Sequence, residues 1–301
     1  MAEILQRTGS WTFDGDTLRI VPGSGKQVQP LRKSLGEVAV PLAAISGISF
    51  EPGGRKPGRL RLRMRRGADP VTEVAGTKLP DASDPYQLPV ERDRSGAAEY
   101  LADEVRYALL LEQVPVNEPC DRFLLPGPAI PITANGTDGS ATFDGEHVQL
   151  TWNWMAEDTK TTAGSRKIAL DDLRAVEWTP AIGLEHGSVR IHPVGDQPAL
   201  KPEHDPNCLL LWGIRQARET SDAVLFAAAV TACLPHPHAP TPESAPTGEA
   251  AQPKALEDGG ASGEEHDVLL RRLEGLARLH RGGVLTDEEF SAAKQAVLSH
   301  F

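Results

Sequence analysis

No apolar run in this chain approaches the ~20 residues that a membrane-crossing helix needs. The opening segment, Met1-Ala2-Glu3-Ile4-Leu5-Gln6-Arg7, has an early acid and no sustained apolar stretch, so it does not read as a signal peptide. Cysteine is scarce: Cys120, Cys208 and Cys233 are odd in number and widely spaced. That pattern predicts reduced thiols in a cytoplasmic protein, peripheral at a membrane at most, and not a disulfide framework. Basic residues are short by comparison with acids, 31 against 42, for a formal net charge of −11. Duplex nucleic acid, whose binding rests on phosphate neutralisation, is therefore not expected as a partner. A glycine-rich phosphate loop, a Gly-x-Ser-x-Gly elbow, a His-Glu-x-x-His pair and a CxxC pair are all missing. The sequence accordingly nominates no catalytic residue, no metal ligand set and no cofactor. His236-Pro237-His238, near Cys233 and with His192 and His204 earlier, falls short of a closed zinc set and reads as the start of a linker.

What is present is a duplication. Thr12-Phe13-Asp14-Gly15 returns as Thr142-Phe143-Asp144-Gly145, each followed by an alternating strand, with Leu18 and Ile20 in one copy and Val148 and Leu150 in the other. The stretch 40–50 matches 168–178 at every large apolar position, and Gly58-Arg59-Leu60-Arg61-Leu62 matches Gly187-Ser188-Val189-Arg190-Ile191. An alanine-rich helical stretch near 97–112 answers one near 221–234. Self-similarity of this kind decides architecture before any other signal. The copies share apolar positions and turns but no polar constellation that could do chemistry. Asp-Gly between alternating apolar residues is a hairpin signal, because glycine takes positive φ without steric penalty.

The pattern predicts an α+β protein: two tandem bent antiparallel sheets, each capped by a C-terminal helix, then a disordered linker and a small α-helical hairpin. Repeat 1 is assigned to 8–116 and repeat 2 to 137–234. The first helix is expected over about Ser95 to Val114 with Ser95 as N-cap, the second from a cap at Thr220 or Ser221. The stretch 235–265 is an acidic Pro/Ala/Gly linker, and 266–301 the hairpin.

Three features stand out as candidate interaction sites. In the first, strict alternation places Leu60, Leu62 and Met64 on the core face of one strand and Arg59, Arg61, Arg63 and Arg65 on the other. This stripe is either an anion site for a lipid headgroup, a phosphorylated partner or an acidic peptide, or a solvated face paired with acids on a neighbouring strand. In the second, Trp152-Asn153-Trp154 puts two indoles on one strand face, either as core and inter-domain packing or as an exposed interface. The third is the tail. Leu269, Leu273, Leu276 and Leu279 recur at helical spacing up to Gly282-Gly283, Thr286-Asp287-Glu288-Glu289 forms a capping box, and Phe290 continues an apolar face.

The order of elements resembles the pleckstrin-homology-like superfold. More narrowly, the paired Thr-Phe-Asp-Gly openings and the C-terminal hairpin resemble an uncharacterised bacterial family, domain of unknown function 4429. Leu269–Leu298, with its Leu-x-x-Leu-x-x-Leu run and Gly-x-Leu-Thr-x-Glu-Glu-Phe pattern, is similar to the short C-terminal domain, a SHOCT-type helical hairpin. These resemblances imply binding modules and an association device, with no catalytic residues.

The functional expectation is a non-enzymatic interaction or scaffold protein. Two helices as short as those of the tail bury too little to stand alone. Leu269, Leu273, Leu276, Leu279 and Phe290 are therefore expected to meet a second copy of the chain, another protein or the tandem body. An anionic-lipid or membrane-surface binder working through Arg59–Arg65 is the alternative, and an enzyme with an inter-domain site the second alternative.

Overall fold

The computed structural model describes residues 1–182, 185–195, 200–212 and 216–239. Nearly all of the linker, and the hairpin with Leu269, Leu273, Leu276, Leu279 and Phe290, lie outside the described residues.

Alternation of apolar and polar residues drives the strands, and the duplication is visible element by element. In the first repeat β1 (Ala2–Gln6), β2 (Gly9–Phe13), β3 (Thr17–Pro22) and β4 (Val38–Pro41) make a four-stranded antiparallel meander, with a short helix α1 (Pro30–Leu35) before β4. A second, three-stranded sheet follows from β5 (Ile45–Glu51), β6 (Gly58–Met64) and β7 (Gln87–Val90), with helix α2 (Pro70–Ala75) between the last two. Helix α3 (Ser95–Leu111) ends the repeat. The second repeat runs β8 (Ile132–Asn135), β9 (Gly139–Phe143), β10 (His147–Trp152), α4 (Asp158–Ala163), β11 (Arg166–Ala169), β12 (Leu173–Thr179), β13 (Gly187–Pro193), β14 (Cys208–Leu211) and α5 (Gln216–Cys233). It has the same four-plus-three sheet arrangement, and among the described residues nothing in it answers α2. β1 and β8 lie N-terminal to the bounds read from the repeat, and each pairs into the first sheet of its own copy.

The shared corner is a turn in both copies. The Asp14 carboxylate accepts from the backbone N–H of Asp16 (3.0 Å) and Thr17 (2.8 Å), and that of Asp144 from Glu146 (2.8 Å) and His147 (2.6 Å). Those N–H donors hold both carboxyls below their ordinary range. Gly15 and Gly145 sit at φ of 116° and 106°, where a side chain would be strained. A register shift recurs too, between Ile45 and Gly47 against β6 and between Leu173 and Ala175 against β13.

The two cores are unequal. The first is filled by its own repeat and by Cys120 and Leu125 of the segment after α3, with Trp11, Leu18, Leu60, Leu88 and Leu101 fully buried. The second gathers Phe143, Trp178, Leu209 and Phe226, and also takes Leu31 from α1 and Val71 and Ala75 from α2 of the first repeat. Both α1 and α2 pack against α5, so the repeats form one unit.

The helices differ from expectation at their ends. Ser95 is already helical and Arg94 stands at the N-cap without a side-chain bond. The helix stops at Leu111, short of Pro115, and the chain turns at Gln113 with φ of 50°. Helix α5 starts at Gln216, so Ser221 is an interior residue, fully buried, and not a cap.

Candidate functional site: an arginine cleft on the first repeat

Of the four arginines read as one stripe, three share a face. β6 alternates as expected: Leu60 and Leu62 are buried, while Arg59, Arg61 and Arg63 point away from the core. Arg65 does not belong with them. It lies just past the end of β6 and is buried, donating through Nε and Nη2 to the Glu118 carbonyl (3.2 and 3.0 Å) and through Nη1 to the Ala43 carbonyl (2.8 Å). Alternation stops where the strand stops, and Arg65 clamps the segment after α3 to the sheet.

The remaining three guanidinium groups meet little negative charge. Arg59 and Arg61 both reach one carboxylate, that of Asp81, at 2.9 and 3.3 Å. Asp81 lies on the connection between α2 and β7, not on a neighbouring strand, and also accepts from Gln87 Nε2 (3.2 Å). The Nε of Arg61 is buried without a hydrogen-bond partner. Arg63 lies over the bare backbone of Gly47, where a Cβ would come within 3.1 Å of its Nη2, and it makes no ion pair among the described residues.

This face forms one wall of a cleft of about 550 Å³, lined among others by Arg61, Arg63, Asp69, Leu79, Asp81 and Tyr86. The opposite wall is α2 and the connection after it. Asp69 builds that wall by capping α2: it accepts from the N–H of Val71 (3.2 Å) and Thr72 (2.9 Å), the Thr72 hydroxyl (2.7 Å) and the Tyr86 hydroxyl (2.8 Å). Burial raises the Asp69 carboxyl despite these donors. Burial, reinforced by that carboxylate, pushes the Tyr86 hydroxyl well up, so it remains a donor at neutral pH.

The second repeat neutralises the equivalent face. Arg190, in register with Arg61, pairs with Asp205 and donates to the Leu200 carbonyl (3.0 Å). Asp205 belongs to Asp205-Pro206-Asn207-Cys208-Leu209, which repeats Asp84-Pro85-Tyr86-Gln87-Leu88. In both copies the aspartate caps the same turn, accepting from Tyr86 N–H (2.9 Å) or Asn207 N–H (2.8 Å). In the first repeat, however, Asp84 turns to Gln87 Nε2 (2.8 Å) instead of Arg61. Sequence reading missed this pair of aspartates. The signal was the recurring Asp-Pro-x-x-Leu just before the last strand.

The two indoles are separated. Trp152 ends β10, is half-buried and donates to the Gly164 carbonyl (3.0 Å); Trp154 lies beyond the strand in a turn and is 90% exposed. They do not form one aromatic face. His236 serves structure: its Nε2 lies 2.8 Å from the Gly67 carbonyl and its ring meets Phe123 edge-on at 4.6 Å. Gly67, at φ of 71°, makes room, since a Cβ there would fall 2.7 Å from that ring. Among the described residues no group of three or more His, Cys, Asp or Glu is placed to hold a metal ion, and no helix is long and apolar enough to cross a membrane.

Two further features bear on chemistry. A second cleft, about 460 Å³, runs between the repeats and is lined mainly by apolar groups such as Leu35, Val71, Leu125, Ile132 and Leu225. A buried ion pair sits in the second repeat: Lys160, fully buried, donates to Asp138 (2.5 Å) and to the Cys208 carbonyl (2.6 Å), and Asp138 accepts from Leu210 N–H (2.9 Å). Both Asp138 oxygens and the Lys160 ammonium are thus engaged within the protein.

Fold and site together define a duplicated α+β protein whose first repeat carries a cleft with an arginine wall. The chain belongs to the family described as Domain of unknown function (DUF4429), whose model matches residues 11–106 and 141–231, one segment in each repeat. No curated protein matches the chain.

Proposed function

We propose that this protein is a non-enzymatic interaction or scaffold protein whose two modules are pleckstrin-homology-like and whose first module binds an acidic partner through Arg59, Arg61 and Arg63. The single observation that carries the reading is the unequal treatment of one sheet face: Arg59 and Arg61 share the one carboxylate of Asp81 beside Arg63 in the first repeat, while the second repeat pairs its arginine with the capping aspartate. A surplus of exposed arginine beside a cleft suits planar acidic groups, which guanidinium binds through paired N–H donors. The four-plus-three strand order closed by a helix in each repeat supports the pleckstrin-homology-like assignment. A helical hairpin at 266–301, of the short C-terminal domain type, would add assembly through Leu269, Leu273, Leu276, Leu279 and Phe290.

The test has two parts. Binding of vesicles containing phosphatidylserine and of an acidic peptide is compared for the wild type and for R59S/R61S/R63S, at low and high salt. Loss of peptide binding in the variant, with weak salt-sensitive vesicle binding at most, is expected; unchanged binding in the variant would sink the arginine site. Vesicle binding that is strong and steeply salt-dependent would favour the membrane-surface reading instead. Light scattering on the full chain and on a chain ending at Pro240 then reads the assembly role. A defined oligomer that becomes a monomer on truncation is the expected outcome, and two monomers would remove self-assembly from the proposal.

A further inference from the structure

Asp81 is held where an acidic ligand of the first repeat would be. Its carboxylate bridges Arg59 and Arg61, and it arrives on a connection that is longer than the matching one of the second repeat and carries the added helix α2. Both guanidinium groups and Asp81 itself are about half-exposed, so the contact faces solvent and is exchangeable, unlike the Arg190–Asp205 pair, whose side chains are mostly buried. In the second repeat the capping aspartate satisfies the strand arginine. In the first, the corresponding Asp84 is engaged by Gln87 and the Tyr86 N–H, which leaves Arg61 free to be met from outside.

From this geometry we infer that Asp81 is an internal stand-in for the ligand: the segment Pro80–Asp84 occupies the arginine face as an acidic peptide would, and a partner displaces it. The inference rests on the arginine-site reading above. It also narrows the ligand class. The group already seated is a carboxylate on an irregular backbone segment. The cleft that continues from it carries Leu79 and Tyr86 beside further acids, Asp69, Glu73 and Asp84. Of these, Glu73 and Asp84 reach solvent and would repel an anionic membrane surface spread over the site, whereas a single acidic side chain followed by apolar residues meets arginine first and then an apolar wall. The recognised chemistry is therefore an acidic side chain, aspartate, glutamate or a phosphorylated residue, in an extended peptide.

A stand-in that competes lowers the apparent affinity by the fraction of time it is bound. Exposed pairs of this strength hold their closed form only several-fold, so its removal should raise affinity by about fivefold. The probe is a fluorescein-labelled peptide with the sequence of residues 77–86, titrated by anisotropy against the full chain. D81N and D81A are expected to bind it about fivefold more tightly than wild type, and adding R61S to D81N to abolish the gain. Equal or weaker binding by both Asp81 variants, with thermal unfolding still cooperative, overturns the inference. If R59S/R61S/R63S loses the peptide while D81N matches wild type, the arginine site stands and the stand-in falls. If no variant and no wild type binds the peptide, both fall. A gain seen only on vesicles containing phosphatidylserine also overturns it, because the ligand would then be a surface and not a peptide.

Discussion

The helices α3 and α5 close equivalent repeats and treat their inner faces alike. Ala98, Leu101, Ala102 and Val105 of α3 are matched in place by Ala223, Phe226, Ala227 and Val230 of α5, and all are buried. The outer faces are where they part. Glu99, Tyr100 and Asp103 of α3 face solvent, and Tyr107, Leu110 and Leu111 continue that exposed side. The matching positions of α5, Val224, Leu225 and Ala228, are buried, on a helix that packs against α1 and α2 of the first repeat. One helix has a single covered stripe; the other is covered on both sides. The lesson is that the inner-face pattern reports the repeat, while the outer-face pattern reports the neighbour.

Swapping outer-face residues should break the comparison with the largest effect. Ala228→Asp, which installs the residue α3 carries at that place, buries a carboxylate against helices and should cost about 4–5 kcal/mol or prevent folding. The reciprocal Asp103→Ala loses an exposed bond to Arg106 and should cost about 0.5 kcal/mol or less. Denaturant unfolding reads both, and similar values for the two would show that α5 is less enclosed than the contacts indicate.

A second comparison sets α1 against α4. Arg32 and Lys160 hold the same place in these helices and both are buried. Lys160 has a carboxylate and a carbonyl partner, whereas Arg32 leaves Nη2 without one, and its burial lowers the guanidinium pKa. Lys160→Ala strands Asp138 and should cost about 3–4 kcal/mol. Arg32→Met removes an unsatisfied donor and should stay within about 1 kcal/mol of wild type. Equal losses in urea unfolding would mean that Arg32 is as well partnered as Lys160.

The smallest effect tests likeness instead of difference. Asp14 and Asp144 have folded-state pKa values below the ordinary 3.8. Each therefore contributes stability that is present above the unfolded pKa and lost as pH falls through the folded one. Asp14→Asn and Asp144→Asn should each lower stability slightly at pH 7, by similar amounts, and converge on the wild type as pH falls below about 4, so that the acid limb flattens. An effect confined to one variant would show that the two corners are not equivalent.

Much of the frame was legible because it repeats. Thr-Phe-Asp-Gly located β2 and β9 with their turns, and Leu60 and Leu62 located the inner face of β6. The helices α1, α2 and α4 were not legible, since six residues are less than two turns and give no apolar periodicity to read. Arg65 continued the alternation in sequence, but the strand had ended, and a buried carbonyl pair was available to it. The enclosure of α5 did leave a trace: Ala223 to Val230 is an unbroken apolar run, which a helix with one wet side would not carry. Reading only the stripe at helical spacing overlooked it. Asp81 could not have been assigned to Arg59 and Arg61 from sequence, because a long irregular connection brings it there.

The contact of α1 and α2 with α5 joins unlike surfaces, and in general such a head-to-tail contact propagates, each unit offering the next the surface it has itself received. Here it runs for one step. The second repeat has nothing among its described residues in place of α2, and its α4 presents Thr159 and Ala163, both exposed, where α1 presents Leu31 and Leu35. The apolar surface that α1 offers to α5 is therefore not offered again by α4, and the described part of the second repeat gives what it received no second use.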